Sequence, residues 1–179
     1  MTVDDRVATH DEGRTCEIVP LAEPYFEQLR QAVDVVAREK RFLSLTEAPP
    51  REDCYSFYKG LLENNSPVFV AVIADQVVGW CDIQSAFGQA RQHVGTLGMG
   101  VMPAVRGRGL GTRLIESAIA QAWANGLMRI EITVRTDNEA ATKLYERVGF
   151  EHEGRMRSSM LVDGQFYDCY AMALLHDAP

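Results

Sequence analysis

The chain is 179 residues long, with a formal net charge of −7, 46% hydrophobic and 24% charged residues. That length suits one domain with a core large enough to stand alone, and the acidic balance excludes non-specific nucleic-acid binding, which needs a basic surface. No apolar run reaches the ~18 residues of a membrane span and the polar N-terminus lacks a signal-peptide core, so a cytoplasmic protein with no membrane partner is expected. Four cysteines (Cys16, Cys54, Cys81, Cys169) are scattered without a C-x-x-C pair or a histidine cluster, which predicts reduced thiols and no metal site.

Residues 1–14 are polar and aperiodic and read as a flexible tail; residues 15–179 read as the single folded unit. Cys16 to Val19 is a short strand ended by Pro20. From Ala22 onward Tyr25, Phe26, Leu29, Ala32, Val33 and Val36 recur at helical steps, predicting a helix to about Arg38. Residues 41–50 form an apolar loop with two prolines, and a second helix follows from about Arg51 to Asn64. Then the period changes to that of strands. Val68 to Ile73 and Val77 to Ile83 flank Ala74-Asp75-Gln76 as a hairpin, and Gln92 to Met102 completes a meander. Gly98 and Gly100 inside that third strand suggest a bulge.

A helix pattern starts at Leu110 and closes at Asn125-Gly126; Leu127 to Val134 is a strand, parallel to the one before the helix by the handedness of βαβ units. Thr136-Asp137-Asn138 caps a last helix that stops at Gly149. Phe150 to Val162 and Gln165 to Leu174 form a final hairpin around Asp163-Gly164. The predicted order is β-αα-βββ-α-β-α-ββ, a mixed-sheet α/β (α+β) domain.

Chemistry concentrates between Gly98 and Gly111. A strand stops at Pro103, a loop with Arg106, Gly107, Arg108 and Gly109 follows, and a helix begins at once. Such a loop leaves backbone N–H groups unpaired at a helix N-terminus, where the dipole favours negative charge, and glycines let a ligand approach the main chain. Arg106 and Arg108 can add charge-assisted bonds to phosphate oxygens. The loop reads as a pyrophosphate cradle. A Walker A reading fails because Thr112-Arg113 follows Gly111, and the dinucleotide fingerprint fails because residue 103 is proline.

What fits is Arg/Gln-x-x-Gly-x-Gly/Ala, filled by Arg106, Gly109 and Gly111. A second run, Asn138-Glu-Ala-Ala-Thr-Lys-Leu144-Tyr145-Glu-Arg-Val-Gly149-Phe150, fills every fixed place of Asn-x-x-Ala-x-x-Leu-Tyr-x-x-x-Gly-Phe. In this pair of motifs, and in the element order around them, the chain resembles the GNAT superfamily of acetyl-coenzyme A-dependent N-acetyltransferases over roughly residues 15–175. The last hairpin is similar to that of the subgroup acting on amino acids or other small amines.

The resemblance implies that the fourth and fifth strands splay apart and that the pantetheine arm of acetyl-coenzyme A lies between them. Met99, Val101, Arg106, Gly107, Arg108, Gly109, Gly111, Thr112 and Asn138 are then expected to hold the cofactor, with the N–H of Val101 polarising the thioester carbonyl. Tyr145 occupies the place of the family's general acid, which would protonate the departing thiolate and so also touch the cofactor. An alkylamine has a pKa near 10 and needs a base to become a nucleophile. The glutamate that many members carry on the fourth strand falls near Gly95, which cannot serve. His93, Glu131 and Asp82 stay open as candidates. The acceptor site is expected among Phe42, Glu47, Trp80, Asp82, Tyr167 and Asp168.

The leading expectation is direct acetyl transfer to the primary amine of a small molecule, an amino acid or similar, in a ternary complex; acetylation of protein N-termini or lysines and a non-catalytic acyl-coenzyme A sensor are the alternatives. A homodimer is a family-level expectation.

Overall fold

The computed structural model describes residues 15–176, and the expected tail at 1–14 lies outside them. One seven-stranded sheet runs through the described residues in the order β1-β2-β3-β4-β5-β7-β6. Its strands are β1 (Glu17–Pro20), β2 (Val68–Ile73), β3 (Gln76–Ser85), β4 (Val94–Val101), β5 (Arg129–Arg135), β6 (Glu151–Val162) and β7 (Gln165–Leu175). The helices are α1 (Phe26–Ala37), α2 (Arg51–Glu63), α3 (Leu110–Ala124) and α4 (Glu139–Val148). Every element follows the predicted order.

Local chemistry accounts for the boundaries. The β2–β3 hairpin turns on Ala74 and Asp75, both at positive φ (50° and 61°), and the β6–β7 hairpin on Asp163 and Gly164 (49° and 81°). These are the left-handed pairs that match strand twist. The side chain of Asn138 caps α4 by accepting from the Ala141 N–H at 3.2 Å. Gly149, at φ 105°, ends that helix, with its N–H bonded to the Glu146 carbonyl and that of Phe150 to the Tyr145 carbonyl.

Two cores lie on opposite faces. Leu114, Ile115 and Ala118 of α3 and Tyr145 of α4 cover Cys81, Ile83, Ile130 and Ile132. Phe26, Leu29, Val33 and Val36 of α1 and Tyr58 and Leu61 of α2 cover Val68, Val70 and Trp80. Because side chains alternate along a strand, Cys81 faces α3 while its neighbours Trp80 and Asp82 face α1 and α2.

The parallel pair β4 and β5 is joined at three positions, Val94↔Arg129, Gly95↔Ile130 and Thr96↔Glu131. Beyond Thr96 the two strands continue without pairing to each other, and the sheet opens into a fork. No expected bulge interrupts β4: it pairs β3 in unbroken register from Gly79↔Val101 to Ser85↔Gly95. Its glycines have another cause. A Cβ on Gly100 would lie 2.3 Å from the Trp80 indole, and one on Gly98 would lie 3.2 Å from Asp82 Oδ1. Both residues make room for a large or charged side chain across the strand. No helix of the described residues is long and apolar enough to cross a membrane.

Candidate active site

The fork holds a cavity of about 320 Å³ whose walls include Met99, Gly100 and Val101 of β4, Thr133 and Val134 of β5, and Tyr145. Its floor is the loop before α3. Gly107 and Gly109 both sit at φ 76°, where an L side chain is strained, and a Cβ at either would meet nothing within 4 Å. They are glycine because of backbone conformation and an open approach. Gly111 is glycine for packing: its Cβ would lie 3.1 Å from Leu144.

The first helical bond across the α3 cap runs from the Arg113 N–H to the Gly109 carbonyl, and no side chain caps the helix. The amides of Leu110, Gly111 and Thr112 therefore lie ahead of the hydrogen-bonded ladder, in the wall of the cavity. This set of amides with their unobstructed glycines fits a diphosphate.

Arg106, in the wall of the fork cavity, is also held within the protein. Its Nε donates to the Val101 carbonyl at 2.8 Å, its two terminal nitrogens clasp the Glu39 carboxylate, and its guanidinium stacks 4.8 Å from the Phe42 ring. The side chain braces the end of β4, the segment after α1 and the 41–50 loop against one another. Asn138 both caps α4 and lines the cavity. Tyr145 is buried in the wall, 5.8 Å from Phe150 between ring centroids. Among the described residues nothing hydrogen-bonds to its hydroxyl. Burial holds the phenol well above its ordinary pKa, so it stays protonated and able to donate.

A second cavity, about 420 Å³, lies on the α1/α2 face and meets the first at Met99, which lines both. Leu29 and Val33 of α1, Tyr58 of α2, and Leu43, Leu45 and Pro49 of the loop form an apolar shell over Trp80, Asp82 and Gln84 of β3. The loop is tied down where the Ala48 N–H donates to Asp34 Oδ1 at 2.9 Å. Asp82 is 8% exposed and accepts from Gln84 Nε2 at 2.9 Å; burial without a cation raises its carboxyl to about 6.

The structure gathers some expected site residues and leaves others apart. Met99, Val101, Arg106, Gly107, Gly109, Gly111, Thr112, Asn138 and Tyr145 line the fork, and Phe42 lines it too, rather than the second cavity. Trp80 and Asp82 line the second cavity. His93 is exposed in the turn before β4, its carbonyl receiving the Met128 N–H at 2.8 Å, at the paired end of the parallel strands.

Glu131 is bound by Arg129 and Arg91, each at 2.8 Å, which hold its carboxyl below the ordinary range. A carboxylate so held is a poor proton acceptor. Glu47 is exposed and faces Arg38 at 3.5 Å. Tyr167 stacks on the Arg135 guanidinium, 3.5 Å from ring centroid to Cζ, and Asp168 receives Arg155 Nε and the Ser158 N–H, both at 2.8 Å, within the last hairpin. Neither lines either of these two cavities.

Sequence reading missed two contributions. The α1 residues Leu29 and Val33 are ordinary core-stripe residues whose cavity role follows from their position opposite Asp82. Buried Arg135 grips Asp137 through Nε at 2.9 Å and the Lys40 carbonyl at 3.2 Å, fixing the turn that presents Asn138. A signal for the first was available: Trp-x-Asp on one strand opposite Gly-x-Gly on the next.

A family model described as the Acetyltransferase (GNAT) family matches residues 29–150. The chain belongs to this GNAT family. It is 36% identical over 106 residues to the L-amino acid N-acetyltransferase AaaT of Escherichia coli, covering 58% of this chain and 65% of that protein. It is 43% identical over 74 residues to the N-alpha-acetyltransferase RimI of Mycobacterium tuberculosis, covering 41% and 44%. In each case the match spans less than two-thirds of the relative's length. The solved yncA acetyltransferase of Salmonella typhimurium, with its cofactor acetyl-CoA, superposes with a TM-score of 0.86 at 18% identity over 92% of this chain and 98% of that one. At that identity the likeness speaks for the GNAT fold.

Proposed function

We propose that this GNAT chain transfers an acetyl group from acetyl-coenzyme A to the primary amine of a small molecule, by direct attack with both substrates bound. One observation carries the reading: a cavity in the fork between β4 and β5, suited to a diphosphate and an extended arm, meets a mostly apolar cavity at Met99. The activated thioester is what the donor supplies. This chain's residues do the rest.

The amides of Leu110, Gly111 and Thr112, with Gly107 and Gly109 beneath, hold the diphosphate; Arg106 fixes the loop, and Asn138 and Val134 border the arm. Asp82 takes the proton of the incoming ammonium. Burial disfavours both charged partners, so a neutral amine beside a neutral carboxylic acid is favoured more here than in water. The amine lone pair then attacks the thioester carbon, the C–S bond breaks, Tyr145 donates its proton to the leaving thiolate, and the second amine proton passes to solvent or back to Tyr145.

The two curated relatives act, by their names, on different acceptors, and the lining of the second cavity supports the smaller one. The 41–50 loop, tied to Asp34, supplies Leu43, Leu45 and Pro49 to the same cavity wall as Asp82, which suits a small molecule better than an extended peptide. Four free cysteines, three of them buried, fit a reducing cytoplasm.

The test is thiol release from acetyl-coenzyme A with a panel of small primary amines. At least one should turn over, and Tyr145→Phe should lower kcat by about 100-fold, the range of general-acid contributions, with cofactor affinity kept. Tight cofactor binding with no turnover of any amine or peptide would show an acyl-coenzyme A sensor instead.

A further inference from the structure

Resting on the proposed acetyl transfer, we infer that the acceptor is a small primary amine with an apolar body and no carboxylate beside its nitrogen, recognised as a cation by Asp82. The charge inventory of the second cavity carries this. Two carboxylates, Asp82 and Asp53, and one amide, Gln84, are its charged or amide-bearing walls; among the described residues no Lys, Arg or His lines it. The remaining surface is aliphatic, aromatic or thiol, from Leu29, Val33, Leu43, Phe57 and Trp80 among others.

Asp82 is a buried part of this wall. The groups around it that can titrate are Tyr58, Asp53 and Cys54 on α2 and Cys81 on its own strand; α1 offers Leu29 and Val33, β2 offers Val68, and β4 offers Gly98. Among the described residues no cation pairs with the Asp82 carboxylate, and burial raises its pKa.

An ammonium entering beside it supplies the missing positive charge, and the apolar shell receives the body of the molecule. A free amino acid would bring its own carboxylate within about two bonds of that ammonium. This second anion would stand close to Asp82 with no guanidinium or ammonium in the wall to receive it, which is costly in a low-dielectric site. A cavity of about 420 Å³ is ample for an arylalkylamine or a branched aliphatic amine.

The nearest challenge is Arg30 of α1, whose Nε is buried without a partner and whose charge is felt by Cys54, a residue of the cavity wall. Its terminal nitrogen is held by Glu27 at 3.2 Å, and Arg30 is not part of the wall.

The test uses matched acceptors with the full chain and acetyl-coenzyme A: phenylethylamine against phenylalanine, isoamylamine against leucine, leucinamide, and a Leu-initiated tripeptide. The amines should exceed their amino-acid partners in kcat/KM by at least about 100-fold, with leucinamide between. Calorimetry of the same compounds with the coenzyme A complex gives a second measure that does not need turnover, and there Asp82→Asn should abolish the preference for amines.

Equal or better use of the amino acids, above all if Arg30→Ala removes it, would overturn the inference while leaving acetyl transfer intact. So would a preference for the tripeptide. Absence of turnover throughout would sink the parent reading, and the binding order would still decide the acceptor class.

Discussion

Burying a carboxylate with no cation beside it costs free energy, and the size and sign of that cost at Asp82 can be measured. Its ordinary value is near 3.8, and in the folded chain it is about 6. A raised value means that the folded state binds this proton more tightly than the unfolded chain does. The penalty is absent below pH ~4, grows as pH rises through the folded value, and is complete above it, on the order of 3 kcal/mol. Asp82→Asn keeps the acceptor for Gln84 and removes the charge. It should raise Tm by several degrees at pH 7.5 and converge on the native protein near pH 4, while amine turnover is lost. In the native protein kcat/KM for the amine should fall as pH drops through about 6. A variant no more stable than the native chain at pH 7.5 would show that Asp82 is not held at this cost.

Single residues were also where the sequence was least legible. Arg106 fits the cofactor motif by spacing, yet its side chain serves as a brace, because Glu39 and Phe42 arrive from a segment 64 or more positions away in the chain. Glu131 is paired with Arg129, two positions back on the same strand face and readable locally, and with Arg91, 40 positions away, which is not. Long-range partners of a charged side chain leave no local periodic trace. They depend on how elements are stacked, which the pattern of apolar residues does not specify.

At the scale of elements, the reading was far more complete, since hydrophobic period, turn residues and caps are written locally. The final hairpin and its Asp163-Gly164 turn fall where expected, as do the Asn138 cap and the Gly149 stop. The exception is β4, whose glycines suggested a bulge. Glycine within a strand has two readings, an irregular backbone or a neighbour that fills the space, and only the register with β3 separates them.

That distinction predicts an asymmetry. In Gly100→Ala the new methyl would come within 2.3 Å of the Trp80 ring, which is packed against α1 and α2 and has little room to retreat. Overpacking of this kind should destabilise by about 1–3 kcal/mol and raise the acceptor KM as the indole is pushed into its cavity. Gly98→Ala adds its methyl at 3.2 Å from Asp82 Oδ1 and should be tolerated in stability. It should still shift the acidic limb of the rate profile upward, by placing an apolar group against the carboxylate. Urea melts and acceptor kinetics on the pair read both effects, and equal behaviour would count against the steric account of β4.

For the molecule as a whole, the decisive feature is that the two cavities approach the fork from different layers. The first cavity is bordered mainly by α3 and α4, with Val36 of α1 and Phe42 also in its wall, the second by α1, α2 and the 41–50 loop, and Met99 belongs to both. On the proposed reading, two cavities that share Met99 need no covalent acetyl carrier, because donor and acceptor can be present together. Cys81 is the thiol adjacent to Asp82, and it could be suspected of such a role. It is 0% exposed and packed under α3, and burial, reinforced by the neighbouring Asp82, raises its pKa far enough to suppress the nucleophilic thiolate.

Initial rates measured over a grid of acetyl-coenzyme A and amine concentrations should therefore give intersecting reciprocal plots. Cys81→Ala should keep kcat within a few-fold of the native value, its cost appearing as a loss of stability from the small cavity left under α3. Parallel plots, a burst of free thiol in the absence of amine, or loss of both on replacing Cys81 would instead require an acetyl-cysteine on the path. In that case the fork between β4 and β5 would be a place where one substrate hands over to the protein, and its opening on two layers would need another explanation.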